Sequence, residues 1–357
     1  MSLKRRDFLI RSSAAAALLA APSLARAASD KLEVIRLAGP GNASGRPYGN
    51  GNIGLLRGLE LLEKEFEADK IRIEWQFPRG TGPAINEALA NRQLDFASYG
   101  GLPNIVGRGA GVPTKVLAGS GVSPTYVAAR PEAGIKTLED LKGKRVAFQR
   151  GTIFELSLYL ILAKVGLTND DVVLFDIQGA DQIAAIQTGD VDVIIGQGNS
   201  VLTTVAQGLT EVVYTTKGSP APGSTFGSFT VHEQFAAAHP EVVERVLTAF
   251  VEASHWGSQE ENRDKVFDIF AETGTPRESY VKDYEGDKLA DRHTPLLDGF
   301  YRHNIDEGLK FTLATKLVRK PFDVAGWIDD SQLSRIIEQK GWQKVWTPRS
   351  SDGQAIG

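Results

Sequence analysis

Short runs of β-branched and apolar residues alternate with segments of helical period along most of this chain, and that alternation confines it to the α/β class. Residues 32–38 read as a strand, 53–68 as a helix, 71–77 as a strand, 83–92 as a helix and 94–98 as a strand. This βαβαβ order predicts a parallel sheet. After two apolar runs at 116–122 and 126–129 the rhythm restarts, with strands at 145–149, 172–177 and 191–195 and helices at 153–165 and 181–188.

The two stretches match residue by residue. Gly82-Pro83-Ala84-Ile85-Asn86-Glu87-Ala88-Leu89, followed by Leu94-Asp95-Phe96, aligns with Gly179-Ala180-Asp181-Gln182-Ile183-Ala184-Ala185-Ile186, followed by Val191-Asp192-Val193, at a constant offset of 97. Each copy has a glycine opening a helix, an apolar pair facing the sheet, and an acidic second residue in the next strand. A duplicated lobe is expected. Residues 217–226 (KGSPAPGSTF) read as a crossover, and helical patterns dominate from 239 onward, at 239–256, 264–271, 296–313 and 331–339. These helices are expected to pack back on the first lobe, giving lobe I at 28–123 plus 218–357 and lobe II at 124–217. Two chain crossings between lobes permit hinge closure over a cleft.

The length of 357 residues accommodates two domains. With 40 Lys+Arg against 44 Asp+Glu and no long basic run, the chain lacks the electrostatic footprint of a nucleic-acid binder. Cysteine is absent, which excludes disulfides, thiolate metal sites and cysteine nucleophiles. Residues 1–27 read as a twin-arginine signal peptide: Arg5-Arg6 precede a mild apolar stretch and the small-residue motif Ala25-Arg26-Ala27, with cleavage expected after Ala27. The apolar stretch falls short of the ~20 residues needed to span a bilayer. Cleavage would remove five basic residues and one acidic one, shifting the net charge from -4 to -8. The mature chain is expected in the periplasm.

Open α/β sheets bind ligands beyond the carboxyl ends of their strands, where helix N-termini present free N–H groups. Here those ends are rich in glycine. The loop after the first strand holds Asn42, Ser44 and Tyr48; later loops hold Arg79-Gly80-Thr81, Gly100-Gly101, Arg150-Gly151-Thr152, and Gln197 with Asn199. Ser120 lies beside the exit from the first lobe. Two of these loops read Arg-Gly-Thr, one per lobe, and closure would bring both onto one anion. Thr81 and Thr152 also suit helix N-caps, with the arginines as solvated surface residues. Tyr99, Phe154 and Phe226 are candidates for contact with an apolar part of a ligand.

A second reading comes from Gly49-Asn50-Gly51-Asn52-Ile53-Gly54, which fits G-x-G-x-x-G and has Glu74 twenty residues beyond Gly54. It would make the chain a twin-arginine-exported NAD(P)-dependent oxidoreductase. Against it, Gly49 comes about ten residues after the end of the strand, whereas the dinucleotide fingerprint starts in the turn itself. No G-x-S-x-G elbow is present, and the five histidines (His232, His239, His255, His293, His303) fall in the C-terminal third without zinc-ligand spacing. The five tryptophans read as packing.

The chain resembles the periplasmic solute-binding proteins of ABC importers, in the aliphatic-sulfonate, nitrate and taurine binding family. The resemblance is carried by Ile73-Glu74-Trp75-Gln76-Phe77-Pro78-Arg79-Gly80-Thr81-Gly82-Pro83, by Gly100 with Pro103, by Leu138-Glu139-Asp140-Leu141-Lys142-Gly143-Lys144-Arg145-Val146-Ala147-Phe148 with Arg150-Gly151-Thr152, by Gly189-Asp190-Val191-Asp192-Val193, and by His239-Pro240-Glu241-Val242-Val243. It implies the type II periplasmic binding fold: two Rossmann-like α/β lobes with mixed, mostly parallel sheets, closing on a small anion, with the loops at Gly80, Gly100 and Gly151 lining the cleft. Two departures stand out, Gly196-Gln197-Gly198-Asn199 where the family often has an aromatic residue, and a longer polar loop through Tyr48. Related folds include a desulfinase and a pyrimidine synthase that depend on cysteine, a chemistry this sequence cannot supply. The resemblance therefore implies a non-catalytic receptor without cofactor or metal. It would act as a monomer, bind an alkanesulfonate or related sulfonate or carboxylate, and deliver it to a membrane permease with its cytoplasmic ATPase.

Overall fold

The computed structural model describes residues 32–42, 48–218 and 222–356. Ser44, the export signal and its cleavage site lie outside the described residues. The chain divides at Glu33, and everything below concerns the unit Val34–Gly357.

In chain order the first half holds strands β1 (Val34–Ala38), β2 (Gly41–Asn42) and β3 (Tyr48–Gly49), helices α1 (Gly51–Gly58) and α2 (Leu61–Glu65), β4 (Arg72–Gln76), α3 (Thr81–Ala90), β5 (Phe96–Gly100), α4 (Gly101–Gly109) and β6 (Thr114–Ser123). Then come β7 (Thr125–Ala129), β8 (Arg145–Phe148), α5 (Ile153–Ala163), β9 (Val173–Asp176), α6 (Ala180–Thr188), β10 (Val193–Gln197), α7 (Gly198–Ala206) and β11 (Glu211–Thr215). The chain closes with β12 (Thr225–His232), α8 (Glu233–Ala238), α9 (Pro240–Gly257), α10 (Arg263–Ala271), α11 (Arg277–Asp283), α12 (Leu289–Arg292), α13 (Gly299–Ala314), α14 (Val324–Trp327) and α15 (Ser331–Gln339).

Two five-stranded sheets result, ordered β4-β1-β5-β12-β6 and β9-β8-β10-β7-β11. They are mixed: in each, the first three strands run parallel and the last two are antiparallel to their neighbours. The sheets are topological copies, and the sequence offset is the reason. β5 and α4 recur 97 residues later as β10 and α7. The acidic residue of each copy plays the same part: Asp95 accepts the backbone N–H of Arg36 at 2.8 Å, and Asp192 that of Arg145 at 3.0 Å, stapling the third strand to the first. The copies differ in charge balance. Asp192 also holds both Arg145 (2.6 Å) and Arg130 (3.3 Å), whereas among the described residues Asp95 pairs with Arg36 alone, at 3.7 Å. The Arg145 side chain, ahead of the opposing cost of burial, therefore draws the Asp192 carboxyl down to about 2, while burial pushes Asp95 up.

The fourth strand of each sheet is delivered from the other lobe. β6 is an edge strand of the first sheet and leads through Pro124 into β7 inside the second; β11 is an edge strand of the second and leads into β12 inside the first. The two crossings are bonded to each other at one residue. Thr125 N–H donates to Thr216 Oγ1 (2.9 Å), Thr216 N–H to Thr125 O (3.0 Å), and Thr125 Oγ1 to Gly223 O (2.6 Å).

Three elements differ from the expectation. The helix read over 53–68 is two helices, broken where Glu60 takes a left-handed φ of 55°. β12 runs well beyond the short strand that Phe229-Thr230-Val231 alone would suggest, because all eight of its residues are buried between neighbours and its interspersed Thr, Gly and Ser hide the apolar signal. Nor do all the C-terminal helices keep to the first lobe: α11 packs on α7 of the second, with Ser279 and Thr203 hydroxyls 3.1 Å apart.

The Asp192 staple gives a testable result. Its carboxyl is depressed in the folded state, so its stabilisation is complete above the ordinary carboxylate range near 4 and is lost as pH falls toward 2. Asp192→Asn is expected to cost about 2 kcal/mol at pH 7, with the difference from wild type shrinking at pH 2.5, as measured by urea denaturation at both values.

Candidate functional site

A cavity of about 170 Å³ lies between the two sheets, at the carboxyl ends of their parallel strands. Five helices start at its wall. Asn50 caps α1, Thr81 and Gly82 open α3, Gly100 caps α4, Thr152 caps α5, and Gln197 caps α7. First-turn N–H groups have no partner within their own helix and sit at the positive end of its dipole. Their convergence makes the wall an acceptor-seeking surface that carries no formal charge.

The lobes meet around this cavity. Gln149 Nε2 of the second lobe donates to Thr81 Oγ1 of the first at 3.3 Å, and Pro83 faces Gly151 while Ile153 faces Gly100. Thr152 orients the second wall: its hydroxyl donates to Gln149 O at 2.7 Å and accepts from Phe154 N–H at 3.3 Å.

The remaining wall comes from the segment 280–295. Gly119 and Gly121 of β6 donate their N–H groups to Pro295 O (2.8 Å) and Thr294 O (3.1 Å). Gly121 takes φ +92°, and a β-carbon there would stand 2.4 Å from Arg292 O, so only glycine admits the segment so close. This brings Tyr280, Asp283, Tyr284 and Arg292 to the cavity, where Phe270 of α10 joins them. Arg292 and Asp283 have side chains only 5% and 6% exposed. Arg292 holds Asp283 and Asp287 at 2.6 Å each, with its guanidinium 3.9 Å from the centre of the Tyr284 ring. Lys217 Nζ donates to the Asp283 backbone carbonyl. Among the described residues Asp283 Oδ1 and Arg292 Nε make no hydrogen bond of ordinary geometry, and the Asp283 carboxylate, after burial, helps push the Tyr126 hydroxyl up. Burial, partly offset by Arg292, pushes the Tyr284 hydroxyl up to about 12, and burial pushes His293 down to about 3. His293 is thus neutral, and its Nδ1 bonds Asn52 Oδ1 (2.8 Å), which positions Asn52 on the wall.

Of the residues singled out in the sequence, Thr81, Gly100, Ser120, Thr152, Gln197 and Asn199 line the cavity, together with Tyr99, Phe154 and Phe226. Gly101 heads α4 with the Phe226 ring pressed against it, and Gly151 packs on Pro83 just behind the wall. Others must be corrected. Arg79 and Gly80 are exposed and off the wall, as is Arg150, which pairs with Asp176 at 3.6 Å. Both arginines stay in water because a desolvated guanidinium needs a carboxylate, and neither loop brings one inward. Tyr48 is buried but turned away, under the Arg57 guanidinium at 4.9 Å. Asn42 pairs with Tyr48 through the backbone of the β2–β3 hairpin. Sequence reasoning missed Asn50, Gly51 and Asn52, which it weighed only as a dinucleotide motif; their place at a helix start was the available signal. Gly49 lies in that hairpin and not in the turn after β1, so the dinucleotide geometry is absent. It also missed Asp283 and Arg292, for which no local pattern exists.

Two lobes built on duplicated mixed sheets, crossed twice by the chain and lined at their junction by helix N-termini, define a two-lobed solute-binding protein of the type II periplasmic class. The chain belongs to the NMT1/THI5 like family, whose pattern matches residues 66–260, more than half of its length. It is 28% identical, over 78% of its own length and 82% of the relative's, to a Bacillus subtilis protein named for binding aliphatic sulfonates. It superposes with a TM-score of 0.79, at 25% identity and over 90% of this chain and 98% of the other, on a periplasmic sulfonate-binding protein of a sulfonate ABC transporter from Methylobacillus flagellatus. The desulfurization enzyme DSZB shares the fold, with a TM-score of 0.62 at 17% identity over 86% of this chain and 99% of that one.

Thr152→Ala removes a helix cap and a wall hydroxyl together. The expected result is a loss of about 1 kcal/mol in stability and weaker binding of any anion that the cavity holds, read by urea denaturation and calorimetric titration; unchanged affinity would take the α5 terminus out of the site.

Proposed function

We propose that this chain is the solute-binding component of an ABC importer and takes a small organic anion, an alkanesulfonate or a close relative, between its lobes. The observation that carries the reading is the convergence of five helix N-termini on one cavity whose buried cation, Arg292, is already held by two carboxylates. Such a wall binds a group with several acceptor oxygens and a permanent charge. A sulfonate has three oxygens and stays ionised at any physiological pH, so it loads every donor without a proton to place. The names of the relatives point to the same class of ligand.

Closure follows from the topology. Lobe limits at 123/124 and 217/218 put both crossings at the bonded Thr125–Thr216 pair, and rotation about two adjacent strands opens the cavity without disturbing either sheet. The closed form would be the one a permease recognises, with its ATPase on the cytoplasmic side, and the receptor works as a monomer. The twin-arginine signal, with cleavage after Ala27, would place it in the periplasm. Sharing a fold with DSZB does not by itself make the chain an enzyme. This sequence has no cysteine, and among the described residues no group of three or more His, Asp or Glu side chains is placed to hold a metal. Binding without turnover is the reading these features support.

The test is a thermal-shift series on residues 28–357 with alkanesulfonates, aromatic acids, nitrate, sulfate and NAD(P). A ligand at 100 times its Kd stabilises the folded state by about 2.7 kcal/mol, which raises Tm by several degrees. A shift with sulfonates and none with NAD(P) is expected; a shift with NAD(P) alone would reverse the assignment.

A further inference from the structure

We propose a second binding site, for a small tetrahedral oxyanion of the sulfate or phosphate type, in the cavity beside the two chain crossings, with Lys217, Lys288 and Arg349 as its cations. This goes beyond the sulfonate reading and does not depend on it. The cavity, of about 460 Å³, takes its walls from both crossings, from the segment 286–292 and from the C-terminal tail at 347–355. Arg292 lines both this cavity and the inter-lobe one. The tail is held in place by its own backbone: Ser350 N–H donates to Gln354 O (2.9 Å) and Ile356 N–H to Pro348 O (2.8 Å). Arg349 is fixed to the start of α13, where Asp298 accepts its backbone N–H at 2.9 Å.

The charges around this second cavity do not balance. Among the described residues four cations line it, Lys217, Lys288, Arg292 and Arg349, against two carboxylates, Asp287 and Asp291. Asp287 is taken up by Arg292, which also holds Asp283. Asp291 has a half-exposed side chain and reaches Arg349 through Nη2, at 3.4 Å. The Arg349 side chain is only 7% exposed, and among the described residues its Nη1 makes no hydrogen bond. Lys217 Nζ is held by the backbone carbonyls of Lys282 and Asp283, with no carboxylate in contact among the described residues. Its burial, only partly offset by the charges of Asp287 and Asp283, lowers its pKa. A desolvated cation without a counter-ion costs free energy that a bound anion recovers. Lys217, Lys288 and Arg349 come from three different walls, and a tetrahedral oxyanion presents an oxygen to each, whereas a carboxylate has two.

Equilibrium dialysis of residues 28–357 against radiolabelled sulfate and, separately, radiolabelled phosphate tests this, at an ionic strength held constant with chloride so that screening does not change. Thr152→Ala, in the wall of the inter-lobe cavity, separates the two sites. One equivalent of oxyanion is expected to bind equally in the wild type and in Thr152→Ala, and tenfold or more weaker in Arg349→Met and in Lys288→Met; the tighter of the two anions is the occupant. Lys288 is exposed, so its variant keeps the fold and decides alone should Arg349→Met fail to fold. Binding of neither anion would overturn the proposal and leave the sulfonate reading standing. Binding unchanged in Lys288→Met would overturn it as well, and its loss in Thr152→Ala would place the anion in the inter-lobe cavity instead.

Discussion

The structure depends on an exchange of strands. Each sheet obtains its fourth strand from a chain segment that has just left the other lobe, so neither lobe is complete until both crossings have been made. The exchange brings the two crossings together at Thr125 and Thr216, where three hydrogen bonds tie them side by side. It also aims the carboxyl ends of both parallel triplets at one space. The cavity follows from that geometry: helices that begin at those strand ends must point their N-termini into it.

An acidic protein whose proposed ligand is an anion faces an electrostatic problem, and the arrangement of dipoles answers it. Dipoles act at short range and are fixed by secondary structure, so they concentrate positive potential where the ligand sits whatever the surface charge. Fixed N–H donors also need no reorganisation when the ligand arrives. The buried ion cluster of Arg292, Asp283 and Asp287 serves a different end. It costs desolvation that its internal pairing offsets, and it anchors a C-terminal segment against both β6 and the second lobe.

Much of the architecture was legible in the sequence because it repeats. The 97-residue offset marked the duplicated unit, and Asp95 and Asp192 were visible as its shared acidic position, although their task as strand staples needed coordinates. Thr81, Gly100, Thr152 and Gln197 could be placed because strand ends are readable and a wall residue sits within a residue or two of each. The same logic pointed to Arg79 and Arg150, and there it failed, since proximity in sequence does not say whether a long charged side chain turns to water. Helices α4 and α7 went unread, as each begins on a glycine directly after a strand and so looks like loop.

By itself the sequence determined the local elements, the duplication, and the positions where helices begin at strand ends, since these rest on interactions among residues close along the chain or on a pattern repeated within it. Only the tertiary structure decided that Arg292 and Asp283, far from the glycine-rich loops in sequence, join the cavity. Their arrival depends on two glycines in β6 admitting a distant segment, and a buried ion pair is defined by what surrounds it in space. Identity along the chain carries no record of that surrounding.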